Sequence, residues 1–304
     1  METSRISKIV SEDGSRKYSF TVPGDRRIEA AFFSVPGRER PNIACVSTQL
    51  GCAVGCPFCA ATQAPFFRNL TKEEILFQVA SILGDQDARK IFDAGFEVSF
   101  MGTGEPLANL RHLLDAIHQI HARYPQITRV SVSTAGPARR VDALTEAMPI
   151  LPPVHLQISL HATSDETRRR LVPNAPGSIA SLLRAARRFH SKTGDQVYLN
   201  YLLLKGINDS PADARWLAQL DREAFLIKLS ALNEVAGIPS HLVAATMDEI
   251  RAFSRQLDDH QLPHKIFVGD GLDVHASCGQ LAAVPREVEV HVTDAVARSQ
   301  SHAA

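Results

Sequence analysis

The chain has 304 residues, 44% of them hydrophobic, enough to bury one large α/β core or two small ones. Its 33 basic and 33 acidic residues cancel, so no overall field announces a polyanionic partner, although a local basic face would not show in the sum. No apolar run reaches the ~18 residues of a membrane helix, and Met1-Glu2-Thr3-Ser4-Arg5 opens no secretory leader, so a cytoplasmic protein without a membrane partner is expected.

Residues 17–22 and 27–35 alternate apolar and polar, with Pro23-Gly24-Asp25 between them. That pattern predicts a β-hairpin and an N-terminal extension over 1–41. From residue 42 an apolar, β-branched run followed by a helical pattern recurs six times. Strands are expected at 42–48, 96–101, 129–133, 154–160, 197–204 and 226–232. Helices are expected near 71–84, 108–123, 138–147, 177–192, 211–221 and 246–258. The first opens on the capping-box pattern Thr71-Lys72-Glu73-Glu74. Another follows Asn208-Asp209-Ser210-Pro211, which offers an N-cap and a proline in the first turn. Alternation of this kind implies parallel βα units with right-handed crossovers. The fold class is therefore α/β: a partial (β/α)6 barrel over 42–285, with 286–304 as a C-terminal tail. A last strand at 265–268 precedes the glycine-rich loop Gly269-Asp270-Gly271-Leu272-Asp273. Reactive residues of such barrels gather at the C-terminal strand ends.

The first of those ends carries Gly51-Cys52-Ala53-Val54-Gly55-Cys56-Pro57-Phe58-Cys59, three thiols at C-x3-C-x2-C spacing. Closed zinc sites and ferredoxin clusters usually take four protein ligands. Three thiolates on a cubane [4Fe-4S] cluster leave one iron open, which suits redox cleavage of a bound cofactor. A structural zinc loop is the alternative. Cysteines in a cytosolic chain read as metal-binding or catalytic, not as a disulfide framework. Two of the five, Cys45 and Cys278, lie outside the triplet; by themselves they read as ordinary buried cysteines.

The triplet, with Phe58 before its last cysteine, resembles the signature of the radical S-adenosylmethionine (SAM) superfamily. Further stretches sharpen the likeness: residues 45–52, Arg68-Asn69-Leu70-Thr71, Met101-Gly102-Thr103-Gly104-Glu105-Pro106-Leu107, Ser133-Thr134-Ala135-Gly136, Ser159-Leu160-His161-Ala162 and Ser277-Cys278-Gly279-Gln280-Leu281. In this order they resemble the RlmN and Cfr family of adenine carbon-2 and carbon-8 methyltransferases acting on 23S ribosomal RNA and tRNA, over roughly residues 15–285. The resemblance implies a [4Fe-4S] cluster on Cys52, Cys56 and Cys59, SAM on the open iron, and an electron donor such as flavodoxin or ferredoxin. It implies that Cys278 is methylated by a first SAM. A 5′-deoxyadenosyl radical from a second SAM then activates that methyl group for addition to the ring. Cys45 releases the product by forming a disulfide with Cys278. Glu29 corresponds to a glutamate that helps remove the ring proton. Gly104 and Glu105 match the element that receives the SAM amino group, and Ser133 and Ser159 match serines near its carboxylate and ribose. Asn233 matches a cofactor contact, and Phe58 would pack over SAM or the cluster.

The chain also departs from that family. Cys59-Ala60-Ala61-Thr62 replaces Cys-Ala-Thr-Gly, and Thr103 stands for a methionine. Leu232-Asn233-Glu234 replaces an aromatic-Asn-Pro, and Asp270 stands for an arginine. Little sequence precedes the hairpin, where RNA-modifying members carry an accessory domain. These differences leave the acceptor open between an RNA adenine and a small nucleoside or natural-product intermediate. Arg168-Arg169-Arg170 and the Arg184, Arg187, Arg188 face read as solvated helix surface, without an aromatic stacking platform. A radical SAM mutase or dehydrogenase would not need Cys45 and Cys278. A metal-binding RNA-interaction module would not cleave SAM.

Overall fold

The computed structural model describes residues 6–22, 26–34, 42–63, 65–85 and 95–281. The Pro23-Gly24-Asp25 turn, the end of the second N-terminal run and the 286–304 tail lie outside the described residues.

The N-terminal part is a three-stranded meander, one strand more than the expected hairpin. β1 (Ile6–Val10), β2 (Arg16–Val22) and β3 (Arg26–Phe33) pair antiparallel. The signal for β1 was present at Asp13-Gly14, where Gly14 turns with φ +88°. β3 then pairs antiparallel with β4 (Asn42–Cys45), which joins the extension to the barrel in one sheet.

β4 continues, past a two-residue ribbon of β5 (Gln49–Leu50) and β6 (Arg68–Asn69), into the barrel strands. These are β7 (Phe96–Phe100), β8 (Ile127–Thr134), β9 (Val154–Ser159), β10 (Val197–Leu202), β11 (Phe225–Ser230) and β12 (His264–Phe267). Each pairs parallel with the one before it, starting from β4, so the strands follow chain order around the wall. The helices are α1 (Lys72–Gly84), α2 (Leu110–Arg123), α3 (Ala138–Ala147), α4 (Asp165–Leu171), α5 (Ile179–Thr193), α6 (Pro211–Leu217) and α7 (Met247–Asp259). Both predicted starts hold: Thr71 closes a capping box with Glu74, and Ser210 caps α6 ahead of Pro211. α6 stops at Leu217, four residues short of expectation. α4 was not expected, because Asp165–Leu171 reads DETRRRL, with one apolar residue and so no apolar period.

The strands alternate in a way that parallel strands buried on both faces do not. Val98, Phe100, Val130, Val132, Leu156, Ile158, Leu199, Tyr201, Ile227 and Leu229 belong to one apolar core with the helices. The positions between them are polar: Glu97, Ser99, Ser131, Ser133, Gln157, Ser159, Asn200, Lys228 and Ser230. The inside of this barrel is thus a polar lumen.

After β12 the chain crosses back to the first strands. Gly271 N–H donates to Asp13 Oδ2 at 2.8 Å and Ser11 Oγ donates to Asp273 Oδ1 at 2.5 Å. Burial works against the Asp13 carboxylate, but amide donors from Gly271 and Ser15 outweigh it and hold its pKa at about 2. Ala276 and Leu281 pack on Ala31 and Cys45. This clasp brings residue 278 beside β4. Among the described residues no helix is long and apolar enough to cross a membrane.

Candidate active site

The β5–β6 ribbon closes residues 51–67 into a loop at the C-terminal end of the first barrel strand. Gly51 starts it at φ +75°, where a Cβ would stand 2.5 Å from the Pro65 carbonyl oxygen, so only glycine fits. The next strand end is locked to this base. Thr48 and Gln49 amides donate to the Thr103 carbonyl, and Glu105 N–H donates to Gln49 Oε1 at 2.8 Å. Gly104 sits at φ +112° with Gln49 so near that a Cβ would meet it at 2.7 Å.

Cys52, Cys56 and Cys59 line an upper cavity of about 570 Å³ with Phe58, Gly104, Glu105, Ser133, Ser159, Asn233 and Cys278. Ten of the twelve residues singled out from the sequence are therefore brought together here. Burial, then the neighbouring thiols, pushes Cys56 well above the ordinary thiol range, and burial foremost carries Cys52 up to about 11. Thiols so placed ionise when a metal takes the charge. Among the described residues no three His, Cys, Asp or Glu side chains converge closely enough to grip a single ion. Three thiols on one cavity wall are the donor set that a [4Fe-4S] cluster with one open iron would take.

Glu105 lines the same cavity. Its carboxylate accepts from Thr134 Oγ1 at 2.6 Å, Ala135 N–H at 2.8 Å and Leu107 N–H at 2.9 Å. Burial raises its pKa against those donors, and an ammonium in the cavity would restore the charged form. Ser133 Oγ accepts from Asn200 Nδ2 at 3.2 Å, which leaves Asn200 Oδ1 buried and without a partner on the same cavity wall. An orphaned acceptor and a buried carboxylate are the groups an amino-acid or ribose moiety such as those of SAM would use. Phe58 stands edge-on to His161, ring centres 5.2 Å apart. Burial, helped by Arg168, holds His161 down at about pKa 3, so the ring is neutral and its Nδ1 accepts from Leu202 N–H.

The chain near Cys278 is pinned from three sides. Asn233 Nδ2 donates to the Cys278 carbonyl at 2.9 Å, Ala60 N–H to the Gly279 carbonyl at 2.8 Å, and Gln280 Nε2 to the Glu234 carbonyl at 2.9 Å. Cys278 also lines a second, lower cavity of about 660 Å³, together with Cys45. Burial, then the nearness of Cys278, pushes the Cys45 thiol far up. The two cysteines outside the triplet thus face one space.

Glu29 lines neither cavity. It is 4% exposed, and its carboxylate meets Lys17 Nζ at 3.0 Å inside the extension. Arg168 corrects the surface reading of its cluster. It is 4% exposed and donates to the Ala135 and Ser159 carbonyls at 2.5 and 3.2 Å, bracing the third and fourth strand ends. Arg169 and Arg170 are exposed as expected. Arg187 and Arg188 pair with Asp221 and Asp142 on the outer surface. Asn200 and Lys228 were not singled out, although polar residues within otherwise apolar strand runs were the signal.

The model of the radical SAM superfamily matches residues 46–216. "Probable dual-specificity RNA methyltransferase RlmN" of Thermus thermophilus is 38% identical over 293 residues, 94% of this chain and 79% of that protein. "Dual-specificity RNA methyltransferase RlmN" of Geobacter sulfurreducens is 35% identical over 291 residues, 92% of this chain and 76% of that protein. Among solved structures, a radical SAM methyltransferase from Sphaerobacter thermophilus superposes with a TM-score of 0.79 at 32% identity, covering 91% of this chain and 80% of that one. Membership implies a [4Fe-4S] cluster and SAM, which the three thiols and the upper cavity would hold. The chain belongs to the RlmN family of radical SAM methyltransferases and is an enzyme of radical SAM methylation.

Proposed function

We propose that this enzyme methylates an sp2 carbon of an adenine-like ring through Cys278, with Cys45 as the resolving thiol and two SAM molecules used per turnover. The observation that carries this reading is the position of Cys278. It lines the upper cavity with the three cluster thiols and the lower cavity with Cys45. The cluster and SAM supply the methyl group and the radical that activates it. Cys278 carries the methyl carbon to the ring. The radical adduct gives up one electron to the redox partner and the ring carbon its proton; Cys45 then bonds to the Cys278 sulfur, and the pair from the broken sulfur–carbon bond stays on the transferred carbon, which takes up a proton to become the methyl group. For that step the two sulfurs must come within disulfide reach. Cys45 is buried as a thiol and must give up its proton as it attacks; the nearby Lys228 ammonium favours the thiolate. The Asn233, Ala60 and Gln280 contacts hold the Cys278 loop at the junction.

Glu105, Ser133, Ser159 and Asn200 are the groups we assign to SAM, and Phe58 packs beside it. We do not assign proton removal to Glu29, because its carboxylate is paired with Lys17. The relatives' names point to RNA as their acceptor, which supports an adenine-like ring here. A flavodoxin- or ferredoxin-type protein would deliver the electron. Mass spectrometry of the Cys278 peptide from anaerobic, cluster-loaded protein given SAM tests the reading. A methylated Cys278, with product lost in Cys278→Ala, is expected. An unmodified Cys278 in cluster-replete protein would sink it.

A further inference from the structure

One row of the lumen crosses four strands in register. Cys45 on β4 pairs with Ser99 on β7, Ser99 with Ser131 on β8, and Ser131 with His155 on β9. Residues paired in register project to the same face, and Cys45 and Ser99 line the lower cavity. None of the four is more than 7% exposed. Ser99 Oγ, Ser131 Oγ and His155 Nε2 are buried and make no hydrogen bond among the described residues. Leaving one such group unsatisfied costs about 1–3 kcal/mol. Three on consecutive strands, beginning beside a thiol, are what a proton path needs: groups free to accept and to donate.

The far end of the row opens to water. His155 Nδ1 meets Asp195 Oδ2 at 2.7 Å, and the Asp195 side chain is 42% exposed. A carboxylate only accepts, so Nδ1 carries the ring proton and Nε2 is left as the acceptor. Tyr198 stands edge-on to the ring, centres 4.1 Å apart, and fixes its orientation. Neighbouring strands lie ~4.8 Å apart. Hydroxyls at that spacing connect by turning about χ1 or through one bridging water, and buried polar groups of this kind hold ordered water. The charged side chains around the row are Glu97 and Arg129, one lumen position nearer the strand starts, Lys228 and Lys265 on β11 and β12, and Asp270 beyond them. The Lys228 ammonium favours the Cys45 thiolate but cannot accept its proton. Glu97 is the rival acceptor.

We propose that this row carries the Cys45 thiol proton out of the barrel, through Ser99 and Ser131 to His155 and Asp195. This rests on the reading of Cys45 as the resolving thiol given above. As Cys45 attacks, its S–H bond breaks and the sulfur pair forms the new bond to Cys278. Each hydroxyl of the row takes one proton and gives one. His155 Nε2 takes the last, and Nδ1 hands its own to Asp195, which releases it to bulk water. The thiol thus ionises at the moment of attack although no water-exposed base stands beside it.

The resolving step can be timed without acceptor or SAM. In anaerobic, cluster-loaded protein, dithiobis(nitrobenzoate) labels the exposed Cys278 and releases one thionitrobenzoate. Cys45 then attacks the Cys278 sulfur of that mixed disulfide and releases a second, leaving a Cys45–Cys278 disulfide that peptide mass spectrometry identifies. Ser131→Val and Ser131→Thr give side chains of the same shape that differ by the hydroxyl, so any packing change is common to both. The second release is expected to be ~100-fold slower at pH 7 in Ser131→Val than in Ser131→Thr, and to climb with pH, because the thiolate must then form without the row. His155→Phe should behave as Ser131→Val, and the first release should stay unchanged throughout. Equal second releases from the valine and threonine variants would overturn the relay. So would an equal slowing in Glu97→Gln, which would make Glu97 the acceptor. If the wild-type protein forms no Cys45–Cys278 disulfide, the resolving role of Cys45 fails and the relay fails with it. A normal second release that no substitution in the row alters sinks the relay alone and spares the shuttle.

Discussion

The two cavities that meet at Cys278 are made of the same strands but finished differently. In the upper one most polar groups are already held. Glu105 accepts three hydrogen bonds, Ser133 is bridged to Asn200, and Arg168 clamps two strand-end carbonyls from beneath. In the lower one Lys265, Arg129 and Glu97 make no ion pair among the described residues and Ser99 Oγ has no partner, while Lys228 lines both cavities. Groups that must hold a fixed cofactor in one pose do so best when they are preorganised. Groups left unpaired give up stability and are satisfied only by what enters. The difference separates a cavity whose polar groups are largely held in place from one whose charged groups are not paired among the described residues.

Substitutions can break that contrast. The largest effect is expected at the cluster loop. Cys56→Ser should strip iron from the protein and cut 5′-deoxyadenosine release by more than ~100-fold, since even outer-shell partners of metal sites are worth ~10–100-fold; iron assay and product chromatography read both. Next comes the strand-end clamp. Arg168→Met leaves two buried carbonyls without donors and should lower stability by about 3 kcal/mol in urea denaturation. Lys228→Met is the opposing measurement. It removes a buried lysine that makes no ion pair among the described residues, so stability should stay level or rise by up to ~1 kcal/mol. A loss as large as that of Arg168→Met would erase the distinction between the cavities.

The pH profile sharpens the same contrast. His161 has its folded pKa depressed to about 3 from 6.5, so the unfolded chain binds a proton that the folded one refuses. Its contribution is complete above pH 6.5 and declines as pH falls toward 3, by at most about 1.4 kcal/mol per unit. His161→Gln should flatten that slope in unfolding measured from pH 7 to 5. The smallest effect is expected at Asn233→Ala. One neutral hydrogen bond to the Cys278 carbonyl is lost, costing about 1 kcal/mol. Hydrogen exchange around residue 279 should rise while the barrel strands stay protected.

Local chemistry was enough for much of this molecule. The βα alternation from residue 42, the caps at Thr71 and Ser210, and the thiol spacing of Cys52, Cys56 and Cys59 are set by neighbours within a few residues. The polar beat Glu97-x-Ser99, Ser131-x-Ser133 and Gln157-x-Ser159 is also written in the chain, and it marks the hollow lumen. Other features had no local trace. Nothing near Arg168 says that it turns under two strand ends while Arg169 and Arg170 face water. Nothing near Glu29 says that Lys17, on the neighbouring strand, claims its carboxylate. Cys45 and Cys278 are 233 positions apart. They share a cavity because the loop after β12 crosses back and is tied to Asp13 and Ser11 at the far edge of the sheet. Spacing within one loop is fixed by covalent geometry, so the sequence by itself determined that Cys52, Cys56 and Cys59 are presented together. Which distant side chains meet in the lumen depends on how the sheet curves and closes, and only the tertiary structure decided that.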